Sequence, residues 1–140
     1  MDISYVITPF FAWLIAGSAK FIVNSISLRR FAFDLIGYGG MPSNHSCIVS
    51  SVVAIIFIKE GVDEPVLVVA IALAFIVMLD ANSLRQHIGR QSKAINILSR
   101  TNYDIPKLKE RMGHTRKEIF IGAILGILSA SIINLVFTLF

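Results

Sequence analysis

Four apolar stretches, with cores at residues 3–23, 47–58, 66–79 and 119–140, constrain this chain more than any other feature. Crossing the hydrocarbon of a bilayer takes roughly 20 helical residues, and every backbone polar group inside it must be bonded within the protein. The first and last stretches reach that length unaided. The second and third do not, so each must draw polar residues into the membrane, "PSNHS" for the second and "DANSL" for the third. The spans so delimited are 3–23, 43–60, 65–84 and 117–140, with polar segments at 24–42 and 85–116, all within one membrane domain over 1–140. The predicted fold is therefore an all-α integral membrane helical bundle of about four transmembrane helices plus an interfacial helical segment. That segment follows span three, where Ile88, Ile95 and Leu98 recur at helical spacing, and Asn102 to Pro106 reads as a turn.

Composition agrees with the spans. Hydrophobic residues make up 55% of the chain and charged ones 16%, with a mean hydropathy of +0.73, too apolar for a soluble domain of this length. The first stretch lacks a basic leader and exceeds the core of a signal peptide, so a retained span is expected. Cys47, the single cysteine, lies in an apolar stretch and reads as a small core residue.

Placing the polar residues on alternating spans gives the second constraint. Lys20 ends span one, followed by Arg29 and Arg30; Ser43, Asn44 and His45 open span two. Asp80, Arg85, His87 and Arg90 close span three, and His114 and Glu118 open span four. All of these fall on one face, with the three histidines and 12 of the 13 Lys and Arg residues, Lys59 being the exception. The positive-inside rule accounts for the basic residues and predicts that this face is cytoplasmic, with both termini outside. It does not account for the histidines, or for Ser-Asn-His where apolar residues insert more easily; intramembrane polar residues point to a site.

The residue types suit phosphate. A helix N-terminus offers unpaired N–H groups to an anion. At span two, Gly39 and Gly40 permit close backbone approach, Ser43 adds a hydroxyl and His45 an acid or base. Either Ser43 or Asn44 can equally serve as an N-cap. At span four, His114 and Glu118 are four apart and share a helical face with Gly122, Gly126, Ala130 and Asn134, whose small residues favour close packing inward. A carboxylate on one ring nitrogen leaves the other free as nucleophile or base, though Thr115 and Glu118 equally match a capping box. In a continuous helix, Asp80, Ser83, His87 and Arg90 share a face and Arg85 lies off it. The arginines either pair with Asp80 or hold phosphate oxygens. Two histidines, nearby cations and two helix N-termini compose a phosphoryl-transfer site that needs no metal. The sequence shows neither an acidic magnesium cluster nor a Walker loop, so no cofactor is expected.

In this order, "GGMPSNHS", "VMLDANSLRQHIGRQ" and "KERMGHTRKEIFIGAILG" resemble the divergent bacterial and plant branch of the type-2 phosphatidic acid phosphatase superfamily, whose members are related to acid phosphatases and vanadium-dependent haloperoxidases. The resemblance covers nearly the whole chain. It implies His114 as nucleophile, Glu118 as its orienting carboxylate and His45 as general acid, with phosphate held at Ser43 and Asn44. Lys20, Arg85, Arg90 and Lys109 are the candidate phosphate-binding cations, and Asp80, Gly40 and Arg30 the candidate supporting residues. The chain departs from the superfamily in carrying Asn44 for glycine, Glu118 for aspartate and Leu108, flanked by Lys107 and Lys109, where an arginine is usual. The early Lys-x6-Arg-Pro motif has no counterpart, and "SLRQ" replaces the branch's "GVRR" while keeping Arg85. The implied protein is a bacterial inner-membrane phosphatase of a lipid phosphate or diphosphate, isoprenoid or glycerolipid, working through phosphohistidine and inhibited by vanadate. Its partners would be that substrate, membrane lipids and a second copy of the chain, not nucleic acid. A non-catalytic lipid-phosphate binder or transporter, or a structural membrane subunit, is the alternative.

Overall fold

The computed structural model describes residues 2–33, 40–99 and 106–139, and within these all regular structure is helical. Five helices follow one another: α1 (Ser4–Leu28), α2 (Asn44–Glu60), α3 (Pro65–Asn82), α4 (Leu84–Leu98) and α5 (Arg116–Leu139). The expected spans and these helices agree to within a residue or two, except that α1 continues to Leu28. Gly39 and residues 102–105 of the expected turn lie outside the described residues.

Helices α1, α5 and the α3–α4 run are long and apolar enough to cross a membrane. With 17 residues, α2 rises only about 26 Å, at the lower end of what spans ~30 Å of hydrocarbon. Its polar N-terminal turn explains the difference: the apolar core begins only at Cys47. In compensation α2 is the central helix, contacting α1, α3 and α5, with its most extensive face against α5.

Lipid reverses the usual distribution of residues. Large apolar side chains such as Phe10, Trp13, Leu73, Phe75 and Phe120 are exposed, facing outward to the bilayer. Small residues fill the helix contacts. The buried stripe of α1 is Ser4, Thr8, Ala12, Ala16, Lys20 and Asn24, one residue per turn and none of them bulky and apolar. On α5 the buried residues include Gly122, Gly126 and Ala130. A Cβ on Gly122 would lie 2.5 Å from the Ser43 carbonyl oxygen, and one on Gly126 would lie 2.3 Å from that of Cys47. Side chains there would force α5 off α2, so the close approach depends on the two glycines. Cys47 is fully buried and its thiol meets the Ala12 carbonyl at 3.3 Å, in keeping with a packing role.

At the far end of the bundle Asp2 pairs with Lys59, and the Tyr5 hydroxyl donates to Glu60. These contacts tie the start of α1 to the end of α2, as antiparallel neighbours require. On the opposite face α3 passes into α4 with a break only at Ser83. Their 34-residue run is about 51 Å long, well beyond ~30 Å, so α4 stands outside the hydrocarbon. Its apolar residues Leu84, Ile88, Ile95 and Leu98 are exposed, as expected of an interfacial segment.

Candidate active site

Residues 106–115 form no helix of their own, yet they are held along α4 by a series of specific contacts. The Asn96 amide bridges the chain, donating to the Leu108 carbonyl and accepting from the Leu108 N–H, both at 2.9 Å, and donating to Glu110. One turn to two turns back, a Cβ on Gly89 would strike the Glu110 carbonyl oxygen at 2.6 Å, so only glycine admits this strap. Gly113, at φ +83°, turns the backbone against Gln86, a conformation costly for other residues. Gln86 then donates to the His114 carbonyl at 2.8 Å, and the His114 N–H donates to the Ala81 carbonyl at 2.9 Å. The strap thus runs antiparallel to α4 and delivers His114, 5% exposed, to the end of α3.

His114 meets His45 there, the two rings tilted at 57° with centroids 6.1 Å apart. Sequence spacing alone separates them by 69 residues; the α2–α5 contact and the strap bring them together. His114 Nδ1 lies 3.3 Å from Glu118 Oε2. The same carboxylate oxygen accepts the Thr115 N–H at 2.9 Å, and the Glu118 N–H donates back to the Thr115 hydroxyl at 3.3 Å. Glu118 therefore makes both contacts that its spacing suggests, one in the cap of α5 and one to the His114 ring. With Nδ1 facing a carboxylate, the proton is favoured on that nitrogen and Nε2 keeps its lone pair.

The entrance to α2 is locked to α5 as well. The Ser43 N–H donates to the Glu118 carbonyl at 3.1 Å, which ties the first helix turn to the orienting residue itself. Ser43 is the N-cap, fully buried, accepting the Ser46 N–H at 3.3 Å and the Ser46 hydroxyl at 3.0 Å. Pro42 stands one residue ahead of the cap. Asn44 Oδ1 and His45 Nδ1 are buried without a hydrogen-bond partner among the described residues. Such unsatisfied groups cost about 1–3 kcal/mol each, and they sit beside the paired rings.

The cations sort themselves by place. Lys20, 8% exposed on the inner stripe of α1, acts electrostatically on His45, His114 and Glu118, as does Arg85 on both rings. Arg85 Nε donates to Asp80 Oδ2 at 2.8 Å, so the ion-pair reading applies, and Arg85 belongs to the face that a continuous helix would deny it. The break at Ser83 lies between the two partners. Arg90 is exposed on α4 and Lys109 on the strap, while Arg30 is exposed just past the end of α1. Gly40, at φ +133°, is buried where a Cβ would come within 3.7 Å of Asn24 Oδ1 and 3.8 Å of Arg111 Nη2. Asn24 and Arg111, with Gln86, are site neighbours that the sequence reading missed. Arg111 was hidden among many loop cations, and Asn24 could have been found from the i, i+4 step after Lys20.

Just ahead of α5, burial holds the His114 imidazole below its ordinary pKa; Lys20 lowers it further, the hydrogen bond and charge of Glu118 oppose this, and Arg85 again lowers it. The ring is therefore neutral near pH 7, the state a nucleophile needs. Among the described residues no three His, Cys, Asp or Glu side chains gather as a metal site.

Comparison with known proteins bears on the same residues. The family model described as "Divergent PAP2 family" matches residues 1–129, a stretch that includes both histidines and Glu118. A Bacillus subtilis (strain 168) protein described as "Uncharacterized membrane protein YuiD" is 33% identical over 135 residues, covering 84% of this chain and 83% of its own. No solved structure matches.

Proposed function

This chain belongs to the divergent PAP2 family and is an integral membrane protein, and from that premise we propose that it is a phosphatase acting on a lipid phosphate or diphosphate. The observation that carries the reading is the pairing of half-buried His45 with buried His114, 6.1 Å between ring centres, with His114 Nδ1 against Glu118. At that separation the rings touch, so the phosphoryl group seats against their outer edges, not between their centres.

In the first step His114 Nε2 attacks phosphorus, the bond from phosphorus to the lipid oxygen breaks, and His45 gives a proton to that oxygen. In the second, water attacks the phosphohistidine, His45 takes the water's proton, and inorganic phosphate leaves with His114 restored. Lys20 and Arg85 balance the negative charge that builds on the phosphoryl oxygens, and the Ser43 hydroxyl and the free N–H groups at the start of α2 hold it. The position suits a substrate whose tail stays in the bilayer, because the rings lie where apolar helices give way to the polar strap. Vanadate, a phosphate mimic, is an expected inhibitor.

One observation favours a second reading, a non-catalytic lipid-phosphate binder: Arg85 is engaged by Asp80 instead of being left for phosphate. Purified protein assayed against a panel of lipid phosphates separates the two. Phosphate release lost in His114→Ala supports the enzyme; saturable binding with no release supports the binder.

A further inference from the structure

Two large apolar grooves lie on the bundle. The first, about 620 Å³, runs between α2, α3 and α5 past Phe57, Leu67, Phe75 and Ile127 and ends at Ser50 and Met78. Ser50 is five residues beyond His45, roughly 7.5 Å along the helix, and the Gly122 and Gly126 contacts close α5 onto α2 along this stretch. The groove is cut off from the rings. The second, about 590 Å³, follows the flank of α1 from Trp13 past Gly17 and Phe21 to Ile22 and Phe33, and ends at Asn44. Phe21 and Phe33 close its upper wall with ring centroids 5.0 Å apart. Trp13 stands at the middle of α1 and Asn44 is the residue between Ser43 and His45, so this groove joins the depth of the membrane to the mouth of the site. Its polar end is Asn44, whose Oδ1 is buried without a partner among the described residues.

The geometry points to this groove as the tail site: it holds one hydrocarbon chain of a lipid phosphate whose headgroup reaches His45 and His114. The assignment rests on reading that pair as a lipid-phosphate site. Three features select the occupant. The groove has the size of a small-molecule pocket and a lining that is apolar except for Ser18 on its flank and Asn44 at one end, the pattern expected for an amphiphile. It is continuous with the headgroup site through Asn44. Among the described residues it is a single groove along one flank of α1, and the groove between α2, α3 and α5 has no lining residue next to His45 or His114 in sequence. The substrate class is therefore a single-chain lipid phosphate, isoprenoid or monoacyl, in preference to a two-chain glycerolipid.

Two features of the chain make the test direct. A Cβ on Gly17 meets nothing within 4 Å, so Gly17→Phe fills the groove without straining α1. Trp13 is the chain's one tryptophan and reports on the groove by fluorescence. Protein in vesicles is titrated with a single-chain alkyl phosphate brominated on its tail, and separately with the matching brominated alcohol. Trp13 quenching is expected at an at least tenfold lower mole fraction of the phosphate, with that preference lost in Gly17→Phe. In turnover, Gly17→Phe is expected to lower kcat/KM for a long-chain phosphate by about tenfold or more while leaving a short, water-soluble phosphate ester unchanged. Equal quenching by both probes, or a Trp13 signal that instead follows crosslinking to a second copy, overturns the tail site. Phosphate release with Gly17→Phe equal to wild type on long chains overturns the tail site alone. Phosphate-selective quenching without any phosphate release overturns the hydrolytic reading and leaves the tail site standing.

Discussion

Glu118 carries two duties on one carboxylate, capping α5 through Thr115 and holding His114 Nδ1, and they can be separated. Glu118→Gln keeps an acceptor for the Thr115 N–H, so it is expected to cost less than about 1 kcal/mol of stability. Losing the charge that orients and supports the imidazole is expected to lower turnover by about 10²-fold or more; thermal melting and kinetics on the same preparation check both. Loss of fold with unchanged turnover in the surviving fraction would assign Glu118 to capping alone. The pH dependence follows from the surroundings of His114. Burial, then Lys20, depress its folded pKa below the ordinary 6.5 despite Glu118. As pH falls below that value the unfolded chain takes up the proton first, so the stability contributed by the neutral ring is complete above it and is lost toward the lower folded value. The acid limb of kcat/KM should accordingly lie below pH 6.5. An acid limb above it would contradict a buried neutral nucleophile.

The helices were largely legible from the sequence, because lipid demands long apolar stretches and alternation of the spans fixes which ends meet. Ser-Asn-His at a helix entrance and His114 four residues before Glu118 were visible for the same reason: each is a polar cluster where apolar residues insert more easily. The strap was not legible. Its register comes from Asn96, Gly89, Gly113 and Gln86 meeting backbone groups, and an asparagine on a carbonyl or a glycine under a passing chain leaves no pattern in composition or periodicity. The Asp80–Arg85 pair escaped a helical-wheel argument because the helix breaks between them at Ser83. At this scale glycines give a matched prediction. Gly126→Ala, whose Cβ would meet the Cys47 carbonyl oxygen at 2.3 Å, is expected to destabilise the bundle by about 1–3 kcal/mol. Gly17→Ala, with open space around its Cβ, is expected to be neutral or to stabilise by up to about 1 kcal/mol. Thermal unfolding in detergent measures both, and equal effects would refute the α2–α5 packing.

As a whole molecule the bundle is polarised, with the paired histidines and the strap at one end and the Asp2–Lys59 closure at the other. By the positive-inside rule, the excess of Lys and Arg at the first end predicts that this end faces the cytoplasm. Val62, 65% exposed in the turn between α2 and α3, is a suitable reporter. A cysteine substituted there is expected to react with an impermeant maleimide applied from outside intact cells, the buried Cys47 staying silent; labelling only from the cytoplasm would invert the topology. The central claim is chemical: His114 accepts the phosphoryl group in the course of turnover. The most direct measurement incubates the purified protein with a lipid phosphate radiolabelled in its phosphoryl group, quenches in alkali, where phosphohistidine survives, and maps the label. The account predicts label on His114 and none in His114→Ala, whereas phosphate release with no trapped label, or label unchanged in that variant, would contradict it.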